Sequence, residues 1–255
     1  MKVISFCNQK GGVGKTSSAL ALASGLAKKD YKVLLIDLDP QCNASIASGA
    51  DVLTMEKTLY NVFRDEAGFK DVIQKTDLGY DLVTGGLSLA GADMEFTQTG
   101  REYMLREVLE SALYDFCILD TAPSLGIITV NALTASDVVV IPMTADLFSL
   151  QGLSQLNLLI SRVKRYSNKN LKIEGLLITL YDATTNVSKA LREQIENASH
   201  ALGTKVFSQP IRKSVAVRES QLMRADLFSE APKSNATKDY SAFINEFLNG
   251  DGNGK

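Results

Sequence analysis

Cysteine is scarce and unpaired. Cys7, Cys42 and Cys117 form no Cys-x-x-Cys pair and no metal-ligand spacing, which removes an iron–sulfur reading. Cys7 and Cys117 lie inside apolar runs, so buried free thiols are expected. Neither sign of charge dominates: 27 Lys and Arg stand against 29 Asp and Glu, for a net charge of −2. That balance argues against a protein that is basic all over and coats nucleic acid, while leaving room for one local basic face. No apolar run approaches the roughly 20 residues needed to cross a bilayer, and no leader-like stretch precedes the first strand. A cytoplasmic protein is expected. No internal repeat and no Pro/Ser-rich linker divides the 255 residues, so residues 1–249 are expected to form a single domain and residues 250–255 a flexible tail.

What is present is an alternation of short apolar strands and helices. Hydrophobic residues make up 45% of the chain, enough for a sizeable core. Lys2–Asn8, Lys32–Leu38, Tyr80–Thr84, Phe116–Leu119, Val138–Ile141 (closed by Pro142), Ile173–Leu180 and Lys205–Ser208 read as strands. Helical spacing predicts Thr16–Lys29, Arg101–Leu113, Leu125–Ala135, Leu147–Tyr166, Val187–Leu202 and Asn235–Leu248. Shorter helices are expected at Leu59–Phe63 and Phe69–Lys75. The fold class is therefore α/β: a mostly parallel twisted sheet flanked by helices on both faces.

The chemistry begins between the first strand and the first helix, at Lys10-Gly11-Gly12-Val13-Gly14-Lys15-Thr16, with Ser17 next. A glycine loop in this place turns several backbone N–H groups toward one point, and the helix N-terminus adds partial positive charge. Glycines permit the positive φ angles and the close approach to phosphate oxygens that such a cradle needs. In this motif the Lys15 ammonium reaches the β- and γ-phosphates and the Thr16 hydroxyl ligates Mg²⁺. Gln9 replaces the first glycine of the general pattern, and Lys10 is an extra cation. Asp37, Asp39 and Asp120 stand at the carboxyl ends of apolar strands, where open α/β sheets hold their ligands. Bound ATP and Mg²⁺ are the expected cofactors.

These residues resemble the deviant Walker A motif of the ParA/MinD group of P-loop ATPases. The resemblance continues through Leu34–Gln41, Ile118–Gly126, and Thr179–Asp182 with Thr185 and Asn186, and is nearest to the ParA-type (Soj-like) DNA partition ATPases. It implies weak ATP hydrolysis stimulated by a partner. Asp39 would orient or deprotonate the attacking water, Asp37 would support the magnesium shell, and Asp120 would hold Mg²⁺ through water. Residues 121–126 would sense the γ-phosphate. It also implies an ATP-dependent homodimer in which Lys10 reaches the partner's phosphates. Adenine would lie near Leu180 and Pro210. There the chain reads Gln209-Pro210-Ile211-Arg212-Lys213-Ser214-Val215, with the proline displaced from the family's Ile-Pro-Arg-Asn-Val.

The resemblance further implies non-specific DNA binding, nucleoid association and a ParB-type DNA-binding partner. Lys205, Arg224 and Lys233 are the candidate DNA contacts, since such binding needs clustered cations that release counterions. Membrane binding is not expected, because the last predicted helix carries few cations on its polar face. A MinD-like positioning ATPase on a membrane or polar scaffold is the first alternative, and a slow nucleotide switch is the second.

Overall fold

The computed structural model describes residues 1–182 and 186–250. Among these residues seven strands form one sheet: β1 (Lys2–Phe6), β2 (Val33–Asp37), β3 (Ile73–Lys75), β4 (Asp81–Thr84), β5 (Phe116–Asp120), β6 (Val138–Thr144) and β7 (Lys172–Thr179). Their order across the sheet is β3-β4-β2-β5-β1-β6-β7. All neighbours are parallel except the β3–β4 pair, which is antiparallel at the edge.

The α-helices are α1 (Lys15–Ala27), α2 (Asn43–Ala47), α3 (Leu59–Phe63), α4 (Ala92–Glu95), α5 (Met104–Leu109), α6 (Ile127–Ala135), α7 (Leu147–Tyr166), α8 (Asn186–Ala201), α9 (Val215–Leu222), α10 (Leu227–Glu230) and α11 (Asn235–Gly250). Both faces of the sheet are covered. Ile4, Phe6, Leu35, Ile118 and Val140 pack toward α1 and α11. The alternate residues Val3, Leu34, Ile36, Cys117 and Leu119 pack toward α5 and α6. Burial on two sides is why these strands read as continuous apolar runs rather than as alternation.

Helix α11 closes the first face. Tyr240, Phe243, Ile244, Phe247 and Leu248 are buried, each contributing about 1.5–3 kcal/mol of apolar burial. A Cβ on Gly25 of α1 would lie 2.3 Å from Ile244 Cδ1, so the glycine sets how closely the two helices approach.

Several sequence expectations need correction. Strand β6 does not stop at Pro142 but continues to Thr144, pairing Pro142 with Leu177. The β1–β6 ladder ends at Val140, and the Pro142 carbonyl, on the β1 side, accepts instead from Asn8 Nδ2 at 2.7 Å. The missing proline N–H therefore faces the side where β1 has ended and costs no ladder bond. Phe69–Lys75 is not one helix: a 3₁₀ turn (Phe69–Val72) leads into β3. Arg101–Leu113 shortens to a 3₁₀ turn and α5. Lys205–Ser208 forms no strand, only a bridge from Val206 to Leu176. Helices α2, α4, α9 and α10 were not foreseen. Gly250 ends α11; the rest of the expected tail, residues 251–255, lies outside the described residues, as does Thr185. Cys7 and Cys117 are buried free thiols, as expected, and Cys42 is one too.

Candidate functional site

The register of the sheet assembles the site. Asp120 at the end of β5 stands opposite Asp37 of β2 on one side and Phe6 of β1 on the other. The glycine loop leaves β1 just beyond Phe6, so it and both carboxylates meet at the carboxyl ends of the three central strands. Gly12 and Gly14 have φ of 74° and 78°, a region in which side chains are strained. Asn8 Oδ1 accepts the Lys10 N–H at 2.9 Å, fixing the loop's entry. Thr179, at the end of β7, donates to the carbonyls of Val13 (2.7 Å) and Met143 (3.2 Å) and so fastens the loop to the far strands. Lys15 is buried, its Nζ 3.3 Å from the Lys10 carbonyl. Burial pushes Lys15 below its ordinary pKa, against the pull of Asp120, Cys7 and Asp39.

The three acids have different surroundings. Asp37 is fully buried and accepts from Ser45 N–H (2.8 Å), the Ser45 hydroxyl (2.8 Å) and Asp39 N–H (3.1 Å). These bonds make it the anchor of the 38–45 loop that carries Asp39. Asp39 accepts from Gln41 N–H at 2.9 Å and lines the cleft. Asp120 is fully buried, and among the described residues neither carboxylate oxygen meets a partner in hydrogen-bonding geometry. Burial first, then the Asp37 charge, pushes its pKa well up, while the nearby Thr16 hydroxyl and Lys15 oppose the rise. An orphaned buried carboxylate costs stability unless a cation joins it. A hard divalent cation beside Thr16 and Asp120 would meet that need.

The phosphate loop opens into a cleft of about 1200 Å³. Its lining includes Thr16, Ser17, Asp39, Pro123, Leu180, Tyr181 and the run Ile211–Ser214. Leu180 is half exposed, with a positive φ of 50°. Pro210 is buried and is not part of the lining; the residues after it form the wall. Ser17 Oγ accepts from Gln221 Nε2 of α9 at 3.0 Å.

A family model described as an AAA domain matches residues 1–173. The sporulation initiation inhibitor protein Soj of Bacillus subtilis is 39% identical over 228 residues, covering 88% of this chain and 87% of that protein. The chromosome partitioning protein ParA of Caulobacter vibrioides is 38% identical over 226 residues, covering 86% and 84%. The chain belongs to the ParA/Soj family of P-loop ATPases. Among solved structures, a Mycobacterium smegmatis protein titled cobyrinic acid a,c-diamide synthase, with bound ATP analogue and magnesium, superposes with a TM-score of 0.87. It is 29% identical, and the match covers 100% of this chain and 97% of that one.

Two further ParA/Soj-type expectations concern lysines. The Lys10 ammonium does not line the cleft. It turns to the end of β6, 2.5 Å from Asp146 Oδ2 and 3.3 Å from the Thr144 hydroxyl. Lys205 lies 4.8 Å from the Phe207 ring centroid, with Glu246 at 3.6 Å and Glu174 at 3.9 Å, and its side chain stays 39% exposed. Arg224 and Lys233 are exposed. Sequence reasoning missed Ser45, Asp146, Thr179 and Asp239 as supports of the site. Only Thr179, lying within a quoted motif, carried a signal.

Proposed function

We propose that the chain is a Mg-ATP-dependent partition ATPase of one domain. ATP closes two copies into a nucleotide-sandwich dimer, the dimer binds DNA non-specifically, and a DNA-bound ParB-type partner stimulates hydrolysis and so releases it. The reading is carried by the division of labour between two lysines of one loop. Lys15 faces its own cradle, whereas Lys10 points outside it. A cation on the loop's rim that does not serve its own phosphates suits those of a second copy, in the manner of a finger supplied in trans.

In this scheme the amides of Gly11–Thr16 and the Lys15 ammonium hold the triphosphate, and Thr16 with Asp120 would hold Mg²⁺. The metal supplies charge neutralisation at the transferred phosphoryl group. Asp39, on the loop anchored through Asp37, takes a hydrogen bond from the attacking water and aligns it. Phosphoryl transfer needs little more than such positioning and electrostatics. Arg224 and Lys233 are the proposed DNA contacts, and nucleoid association follows from them. The membrane alternative is disfavoured because the apolar face of α11 is spent in the core.

DNA gel shift and liposome co-sedimentation, each with ATP and with ADP, test the proposal. A shift with ATP alone and no lipid binding is expected. Lipid binding without a DNA shift overturns it.

A further inference from the structure

The cleft has a second end. Beyond the phosphate loop, its wall is the run Ile211–Ser214 together with Leu180 and Tyr181. This run has no regular secondary structure, so its shape depends on discrete bonds. Three run to β7 and to Tyr181 just beyond its end: Ile211 N–H donates to Ile178 O (2.8 Å), Tyr181 N–H to Ile211 O (2.9 Å) and Lys213 N–H to Tyr181 O (3.3 Å). The others converge on one side chain. Asp239 of α11, 2% exposed, accepts from Arg212 Nε (2.8 Å), Arg212 Nη2 (2.6 Å), Arg212 N–H (3.0 Å) and Gln209 Nε2 (3.0 Å). A two-pronged guanidinium–carboxylate pair with a backbone bond added is both strong and directional. The next residue, Tyr240, lines the cleft and shares a hydrogen bond of 3.2 Å with Ser18 of α1.

The geometry points to Asp239 as a positioning residue that sets the base-binding wall of the cleft and ties it, through α11, to the helix that begins at the phosphate loop. This rests on the reading of the cleft as an ATP site. A ligand whose phosphates occupy the loop extends its other end toward this wall. Loosening the wall therefore weakens contacts to the nucleoside and leaves the phosphate cradle, which Asp239 does not touch, unchanged. A role in general stability would not separate the two ends.

The test is titration calorimetry of the full chain with Mg-ATP and, separately, with Mg-tripolyphosphate, which has phosphates but no base. Asp239→Asn keeps one acceptor and loses the ion pair. It is expected to bind Mg-ATP roughly tenfold more weakly than wild type and Mg-tripolyphosphate within about twofold of it. Arg212→Lys keeps a cation beside Asp239 and the Gln209 and backbone bonds while losing the two-pronged fork, and is expected to show the same pattern at smaller size; it carries the test if the first variant fails to fold. Unchanged ATP binding, or parallel loss of both ligands in a folded variant, overturns the inference. A wild type that binds neither ligand, or ATP but no tripolyphosphate, overturns the phosphate-loop reading instead.

Discussion

The Lys10 ammonium is bound to the Asp146 carboxylate at 2.5 Å, and the same carboxylate caps α7 by accepting the Ser149 N–H at 3.0 Å. One acid thus starts a helix and parks the lysine proposed to act across the dimer. Asp146→Asn keeps a capping oxygen and weakens the hold on Lys10. It is expected to dimerise with ATP at several-fold lower protein concentration than wild type, whereas Lys10→Ala stays monomeric. Sedimentation velocity with and without ATP checks both. Dimerisation of Lys10→Ala at wild-type concentration removes the trans role.

The Lys10–Asp146 bond also predicts a pH dependence. Burial alone would raise the Asp146 pKa, but Lys10, Thr144 and the Ser149 amide hold it down to about 2, against an ordinary 3.8. A carboxylate whose folded value lies below its unfolded one binds fewer protons in the folded state. Its contribution is fully present above about pH 5 and is lost progressively as pH falls toward 2. The stability gap between wild type and Asp146→Asn in urea unfolding is expected to be constant from pH 5 to 7 and to close below pH 4. A gap that widens on acidification contradicts the assignment.

Ser45 offers a quieter test. Its hydroxyl donates to the buried Asp37 carboxylate, and hydrogen bonds to charged groups are worth about 1.5–3 kcal/mol. Ser45→Ala is expected to destabilise the fold by about that amount. Because Asp37 anchors the loop bearing Asp39, ATP turnover is expected to fall more than ATP affinity does. Phosphate release assays beside binding titrations separate the two effects.

Asp120 is the place where function costs stability. Among the described residues neither of its oxygens meets a partner in hydrogen-bonding geometry, and a second acid, Asp37, stands opposite it in the sheet. Asp120→Asn removes the cost of ionising a buried carboxyl, so without ligand its melting temperature is expected to rise by about 3 °C. The same variant is expected to lose the magnesium-dependent part of ATP binding. An Asp120→Asn protein that melts lower while retaining magnesium dependence contradicts the cation site.

Much of this site was legible as local order. A strand, a glycine loop and a helix in succession gave the cradle, and acids at strand ends gave Asp37, Asp39 and Asp120. The class of fold followed from apolar strands alternating with helices. What escaped depends on contacts between distant residues. Lys205 reads as a free surface cation until Glu246 and the Phe207 ring are seen around it. Lys10 meets Asp146 across 136 positions, and no spacing announces that pairing. The 69–75 segment reads as helical, yet its second half is drawn into the sheet by Asp81–Thr84, with Lys75 and Asp81 paired at 2.7 Å. Short helices such as α2 and α10 are too brief to show a period.

The most direct test of the account is calorimetric titration of Mg-ATP into wild type and Lys15→Ala. Saturable binding of one nucleotide per chain by wild type, and none by Lys15→Ala, is predicted. Lys15→Ala binding Mg-ATP as tightly as wild type would contradict the phosphate-loop site on which every other assignment depends.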